Sequence, residues 1–273
     1  LAVDGMVTAT STMKELQAAL AKKRASVKSV DLVEGNWPDR PAVPASEAWL
    51  LDTAYAGRTA AEKLADLRAE LAKQGAGAMV VCRLDSVAWL LNLRASDLDN
   101  TPFALAYCFV TPDDAVLFIN TARLPAAAAE ALGRERVRVA EYEHLLGALT
   151  GYHHSQTVLV DVAGTNWAVY SALEQNPAFT LKEGEDPIQA LKGVKNPVEI
   201  ENLKKVHVKD GVAMVKFQMW LEQRMATGEA TTEVDVDEKL MALRAAQPLN
   251  LGVSFDTIAA YGANAAMMHY HAT

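Results

Sequence analysis

Apolar and polar residues alternate along this chain with two periods, and the change of period divides it. Near the start, Thr12-Met-Lys-Glu15 reads as a capping box and predicts a helix through Lys23. The stretch Glu34-Gly-Asn-Trp-Pro-Asp-Arg-Pro-Ala-Val-Pro44 then carries three prolines. Each proline lacks a backbone donor and fixes φ, so a regular helix or a central strand is excluded there. The pattern predicts a stiff connector with Trp37 packed against a neighbour.

Residues 49–190 alternate helical and strand-like patterns. A second capping box, Thr59-Ala-Ala-Glu62, opens a helix to about Gln74, and Gly75-Ala-Gly77 ends it. Ala78–Arg83 is a short apolar strand, and Leu84–Leu91 reads as a helix. Ala104–Val110 and Ala115–Asn120 read as strands joined by a Thr-Pro-Asp-Asp turn. Helices are expected near Pro125–Leu132 and Glu141–Leu149, with a further strand at Thr157–Asp161. Such alternation predicts an α/β domain.

A boundary is expected at Ile188–Lys195. Beyond it, Asn196-Pro-Val-Glu199 places an N-cap, a proline at the first helical position and a glutamate at the third. The helix it opens runs to Thr227-Gly228, and a second helix spans about Glu233–Gln247. Val253–Ala260 and Ala265–Tyr270 read as two strands of a hairpin around Tyr261-Gly-Ala-Asn264. The chain begins at Leu1 and stops at Thr273 in what reads as mid-strand, so both ends are expected to be cuts in a longer protein.

Composition narrows the function classes. The 273 residues are 51% apolar and 22% charged, ordinary values for a globular chain. A net charge of -8 with scattered Lys and Arg argues against a nucleic-acid surface. No apolar run approaches the roughly 18 residues of a membrane span. Cys82 and Cys108 sit in apolar runs and read as buried free thiols, which fits a reducing compartment. There is no HExxH, GxSxG, phosphate loop or helix-opening GxGxxG.

Two places could carry chemistry. His269-Tyr270-His271 would put both imidazoles on one face of a strand, able to bind a metal or move a proton, or simply exposed. Asn92-Leu-Arg94-Ala-Ser-Asp97-Leu-Asp99 places an arginine beside two aspartates in a loop. It could grip a substrate terminus, or the arginine could be held by those local aspartates. The acidic run Glu229, Glu233, Asp235, Asp237 and Glu238 reads as a helix start, where the macrodipole favours carboxylates. His153-His154 reads as a loop, and His207 as a packed or interfacial histidine.

Several ordered stretches resemble the three-domain cytosolic aminopeptidase P family. They are Trp37-Pro-Asp39-Arg40-Pro41, Tyr55-Ala-Gly57 with Lys63 and Asp66-Leu-Arg68, and Leu84-Asp-Ser-Val-Ala-Trp89-Leu-Leu-Asn92-Leu-Arg94-Ala-Ser-Asp97 with Pro102 and Tyr107. Lys195-Asn196 through Trp220-Leu-Glu222 resembles the opening of the family's catalytic domain. Ser254-Phe255, Thr257-Ile258, Gly262, Asn264 and His269-Tyr270 resemble the strands leading into its active site. His271 and Ala95 depart from the family pattern, which commonly has a small residue and a glycine there.

The resemblance implies an α/β fold class: a mixed-sheet creatinase-N-like domain followed by the start of a pita-bread (α+β) catalytic domain. Residues 1–48 would be the tail of a first domain and its linker, 49–190 the creatinase-N-like domain, and 195–273 the catalytic start. It implies a cytoplasmic homodimeric Xaa-Pro aminopeptidase acting on peptides with proline at the second position, using two divalent ions, manganese by expectation. The family's metal ligands would all lie downstream, so this chain is expected to bind no metal and to be inactive alone. His269 would be catalytic, handling a proton or the scissile carbonyl, and Arg94 and Asp97 would serve substrate binding. Two alternatives stay open: a prolidase- or creatinase-like relative, and a non-catalytic α/β binding or dimerisation module.

Overall fold

The computed structural model describes all 273 residues. It divides into two compact units, one formed by Leu1–Leu98 with Pro102–Lys195, the other by Asp99–Thr101 with Asn196–Thr273.

In the first unit the strands and helices run β1 (Ala2–Val3), α1 (Thr10–Ala21), β2 (Lys28–Ser29), β3 (Trp49–Leu50), α2 (Thr53–Ala56), α3 (Ala60–Lys73), β4 (Ala78–Val81), α4 (Leu84–Leu90), β5 (Leu93–Arg94), β6 (Tyr107–Val110), β7 (Ala115–Phe118), α5 (Ala126–Arg134), β8 (Val137–Ala140), α6 (Leu145–Thr150), β9 (Gln156–Val160), α7 (Trp167–Gln175), β10 (Phe179–Glu183) and α8 (Pro187–Gly193). Six strands form one sheet in the order β10-β9-β4-β6-β7-β8. It is mixed: β6 runs antiparallel to both neighbours, and the other pairings are parallel. The expected turn joins β6 to β7, with Val110 opposite Ala115 and Thr111 N–H donating to Asp114 O at 2.9 Å.

The central strands are continuous apolar runs because both faces are covered. Met79, Val81, Cys108, Val110 and Leu117 meet Leu64, Leu67 and Leu71 of α3, Val87 and Leu90 of α4, and Ile188 of α8. The alternate residues Ala78, Val80, Phe109, Phe118 and Val160 meet Leu145 and Leu149 of α6 and Val169 and Leu173 of α7. Cys82 and Cys108 are both free, and burial pushes the Cys108 thiol up to about 12, so it behaves as an inert packing group.

Local signals set α3: Thr59 caps it, and Glu62 returns the bond to the Thr59 N–H at 2.8 Å. The Thr12–Glu15 box, by contrast, does not open α1. That helix starts at Thr10, and its N-cap, Ala9, offers no side-chain bond. Distant carbonyls take its first donors instead, Thr10 N–H to Thr165 O and Ser11 N–H to Val162 O, both at 2.9 Å. Trp37 does not pack as expected. It is 47% exposed, in a connector without a regular helix or strand. The first strand of the predicted pair begins only at Tyr107, since residues 104–106 belong to the loop described below. The edge strands β8 and β10 and the helices α7 and α8 escaped the sequence pattern.

The second unit contains α9 (Pro197–Thr227) and α10 (Glu233–Ala245). The expected capping box opens α9: the Asn196 carboxamide accepts from Val198 and Glu199 N–H, with Pro197 in the first turn. Gly228 ends the helix at φ 66°. The acidic run is the start of α10, where Thr232 and Asp235 form another capping box.

The predicted hairpin over 253–270 is absent. Only a short 3-10 turn, Gly262–Ala266, interrupts an irregular chain. Two strands without a third strand or a covering helix are marginal in water, and residues 196–273 provide no strand to pair with them.

Candidate functional site

The loop leaving α4 is shaped by side-chain bonds to backbone. Asn92, at φ 55°, accepts Lys63 Nζ at 2.6 Å and donates to Arg58 O at 2.9 Å. Arg94 turns back onto the end of α4, where its Nη1 donates to Ala88 O at 2.7 Å and to Leu93 O at 2.9 Å. Burial lowers its pKa from the usual guanidinium value.

Asp97 does not pair with Arg94. Its carboxylate receives Arg123 through Nη1 at 2.5 Å and Nη2 at 2.6 Å, a two-pronged bond between side chains 0% and 3% exposed. Ser46 Oγ at 2.8 Å and Leu105 N–H at 2.7 Å complete its shell. Burial by itself would raise the Asp97 pKa. The bonds from Arg123, Leu105 and Ser46, with the Arg123 charge, overcome it and hold the carboxyl below its ordinary range. The reading of Arg94 as an arginine held by local aspartates therefore fails: Arg94 donates to the Ala88 and Leu93 carbonyls, and Asp97 pairs instead with Arg123, 26 positions on. Nothing along the chain announced Arg123 or Ser46 as part of this loop.

In the second unit, His269 and His271 are both exposed. They share no strand face, since no strand forms there. His269 adopts φ 54°, a left-handed conformation that few non-glycine residues take. Its neighbour Tyr270 is tied down: the phenol donates to Glu233 Oε2 at 2.5 Å, and Asn264 Nδ2 donates to the same oxygen at 3.0 Å. The sequence pattern marks Glu233 only as helix-start charge. Its tie to a tyrosine 37 positions on is a tertiary fact.

The remaining histidines are structural or exposed. His154 stacks edge-on to Tyr152 with centroids 5.6 Å apart, and His207 meets Leu203 O at 2.8 Å on the exposed side of α9. No group of three or more His, Cys, Asp or Glu side chains converges in a way that could hold a metal ion. A dinuclear centre therefore does not fit the residues present. No helix is long and apolar enough to cross a membrane.

Comparison with known proteins supplies the lineage. Residues 39–199 match the creatinase/prolidase N-terminal domain, and residues 201–273 match metallopeptidase family M24. A protein of Pyrenophora teres f. teres named "Probable Xaa-Pro aminopeptidase P" is 34% identical over 98% of this chain and 42% of its own length. One of the same name from Coprinopsis cinerea is 36% identical over 97% of this chain and 45% of its own. The chain thus spans less than half the length of these curated relatives. Among solved structures, an X-prolyl aminopeptidase from Caenorhabditis elegans, described as a cytosolic enzyme with a di-nuclear active site, superposes with a TM-score of 0.89. It is 28% identical, over 98% of this chain and 45% of that one. With its mixed α/β sheet and the helices that follow, the chain belongs to the creatinase/prolidase N-terminal domain family and continues into metallopeptidase family M24.

Proposed function

We propose that this chain is part of a metal-dependent Xaa-Pro aminopeptidase, which removes the N-terminal residue from peptides whose second residue is proline. One observation carries the reading: two family matches in order, with 34–36% identity to proteins of that name over nearly the whole chain. Two divalent ions, manganese in this reading, serve the whole enzyme, and none is assigned to residues 1–273. The enzyme acts in the cytoplasm as a homodimer.

In this assignment His269 handles a proton at the scissile amide or steadies the carbonyl oxygen as charge develops there. Its exposure leaves the imidazole free to meet a substrate. Arg94 and Asp97 contribute by framing: their bonds are spent on backbone and on Arg123, so they set the shape of the loop a peptide would pass.

A substrate panel tests the reading. The whole protein carrying this chain, supplied with manganese, is expected to cleave Xaa-Pro tripeptides and longer peptides, while residues 1–273 alone stay inactive. Cleavage of Xaa-Pro dipeptides only would move the assignment to a prolidase-like relative. No hydrolysis of any substrate by the whole protein would favour a binding or dimerisation module. Turnover by residues 1–273 would refute the assignment of the metals to other parts of the protein.

A further inference from the structure

Residues 261–271 carry the candidate catalytic histidine, yet no strand ladder holds them. A hydrogen-bonded tether does. Glu233, the first residue of α10, accepts the Tyr261 N–H on one carboxylate oxygen. The other oxygen accepts the Tyr270 hydroxyl at 2.5 Å and Asn264 Nδ2 at 3.0 Å. The second Asn264 amide hydrogen goes to the Tyr270 oxygen at 3.0 Å.

The proton inventory closes. A carboxamide has two N–H donors, a phenol gives one hydrogen and accepts another, and an ionised carboxylate only accepts. The ionisation is supported from both sides: the Tyr270 hydroxyl and the Tyr261 N–H lower the Glu233 pKa, and Glu233 raises that of Tyr270. The start of α10 adds a favourable site for the charge.

We infer that Glu233 is a positioning residue for His269: bridged by Asn264, it fixes Tyr270, and the Tyr270–His269 peptide bond carries that constraint to the imidazole. The left-handed backbone at His269 fits this role, because such a conformation persists only where its surroundings hold it. The inference rests on the reading of His269 as the proton-handling group. It assigns Glu233 no contact with substrate.

The test is a double-mutant cycle in the whole protein loaded with manganese, assayed on an Xaa-Pro tripeptide. Glu233→Gln keeps one acceptor oxygen but turns an NH2 group toward donors. Tyr270→Phe removes the hydroxyl and leaves the ring. Each is expected to lower kcat by about 10- to 100-fold, the scale of a misplaced catalytic group, with KM within about twofold. Glu233→Asp, which keeps the charge, should fall between wild type and Glu233→Gln. In a His269→Ala background, Glu233→Gln should lower kcat no further. An equal fall in that background, or a change confined to KM, overturns the inference.

A second measurement separates this from the function itself. In residues 1–273, the His269 imidazole resonance should move toward its unstructured position in both Glu233→Gln and Tyr270→Phe, while that of His207 stays. An unmoved His269 resonance overturns the tether. Should the wild-type protein cleave no Xaa-Pro peptide, the functional reading falls, and the resonance alone decides whether the tether holds.

Discussion

The two units are both rich in apolar residues but use them differently. In the first, strands such as Tyr107–Val110 and Ala115–Phe118 are buried along their whole length. In the second, the only buried apolar residues are Ala213, Leu240 and Ala259, while Ile200, Leu203, Val206, Val212, Val215 and Met219 of α9 are exposed. These side chains point around most of the α9 circumference, and a helix apolar on all sides needs neighbours on all sides. α10 supplies one. The contrast teaches that apolar content does not make a core; a core needs layers on both faces of an element, which the six-stranded sheet has and the helix pair lacks.

The largest expected effect is in the first unit. Asp97→Ala should destabilise it by about 3–5 kcal/mol, because Arg123 would stay buried without its partner. Urea unfolding followed by Trp fluorescence measures this; a loss under about 1 kcal/mol would mean that water reaches the pair. Leu117→Ala, at a fully buried position between the helix layers, should cost about 2–5 kcal/mol by the same measurement.

Acid should separate the units next. Asp97 titrates below its ordinary value in the folded state. Its stabilising contribution is therefore fully present above the unfolded carboxylate pKa of about 3.9 and is lost as pH falls through the lower folded value. Asp97→Asn should remove that part of the acid sensitivity of the first unit. An unchanged slope of stability against pH in the mutant would refute the assignment.

Smaller effects belong to the second unit. Gly228→Ala meets no atom within 4 Å, so its cost is backbone strain alone at φ 66°, about 1 kcal/mol. Leu203→Ala, at an exposed α9 position, should change stability by less than about 0.5 kcal/mol in circular-dichroism melts. A loss near 2 kcal/mol at Leu203 would show that α9 is covered in solution and would dissolve the contrast between the units.

The site was legible only in part. Arg94, Asp97 and His269 were named from their spacing and from a family resemblance, but their partners were not. Arg123 is 26 residues from Asp97, and Glu233 is 37 from Tyr270. An arginine that ends a 3-10 turn, Thr121–Arg123, and a glutamate at a helix start give no hint of a distant partner. The hairpin failed for a related reason: alternation can propose a strand, but only another strand can complete it.

What the sequence by itself determined is what adjacent residues decide among themselves. The capping boxes at Thr59 and Asn196, the turn at Thr111–Asp114 and the glycine stops at Gly75 and Gly228 all close within a few residues, so chain chemistry suffices. Tertiary structure alone decided the strand order, the edge strands β8 and β10, the start of α1 on Thr165 and Val162 carbonyls, and the Asp97–Arg123 and Glu233–Tyr270 bonds. Each of these depends on a group brought close only when distant segments pack, and a short-range pattern carries no record of which distant segment that will be.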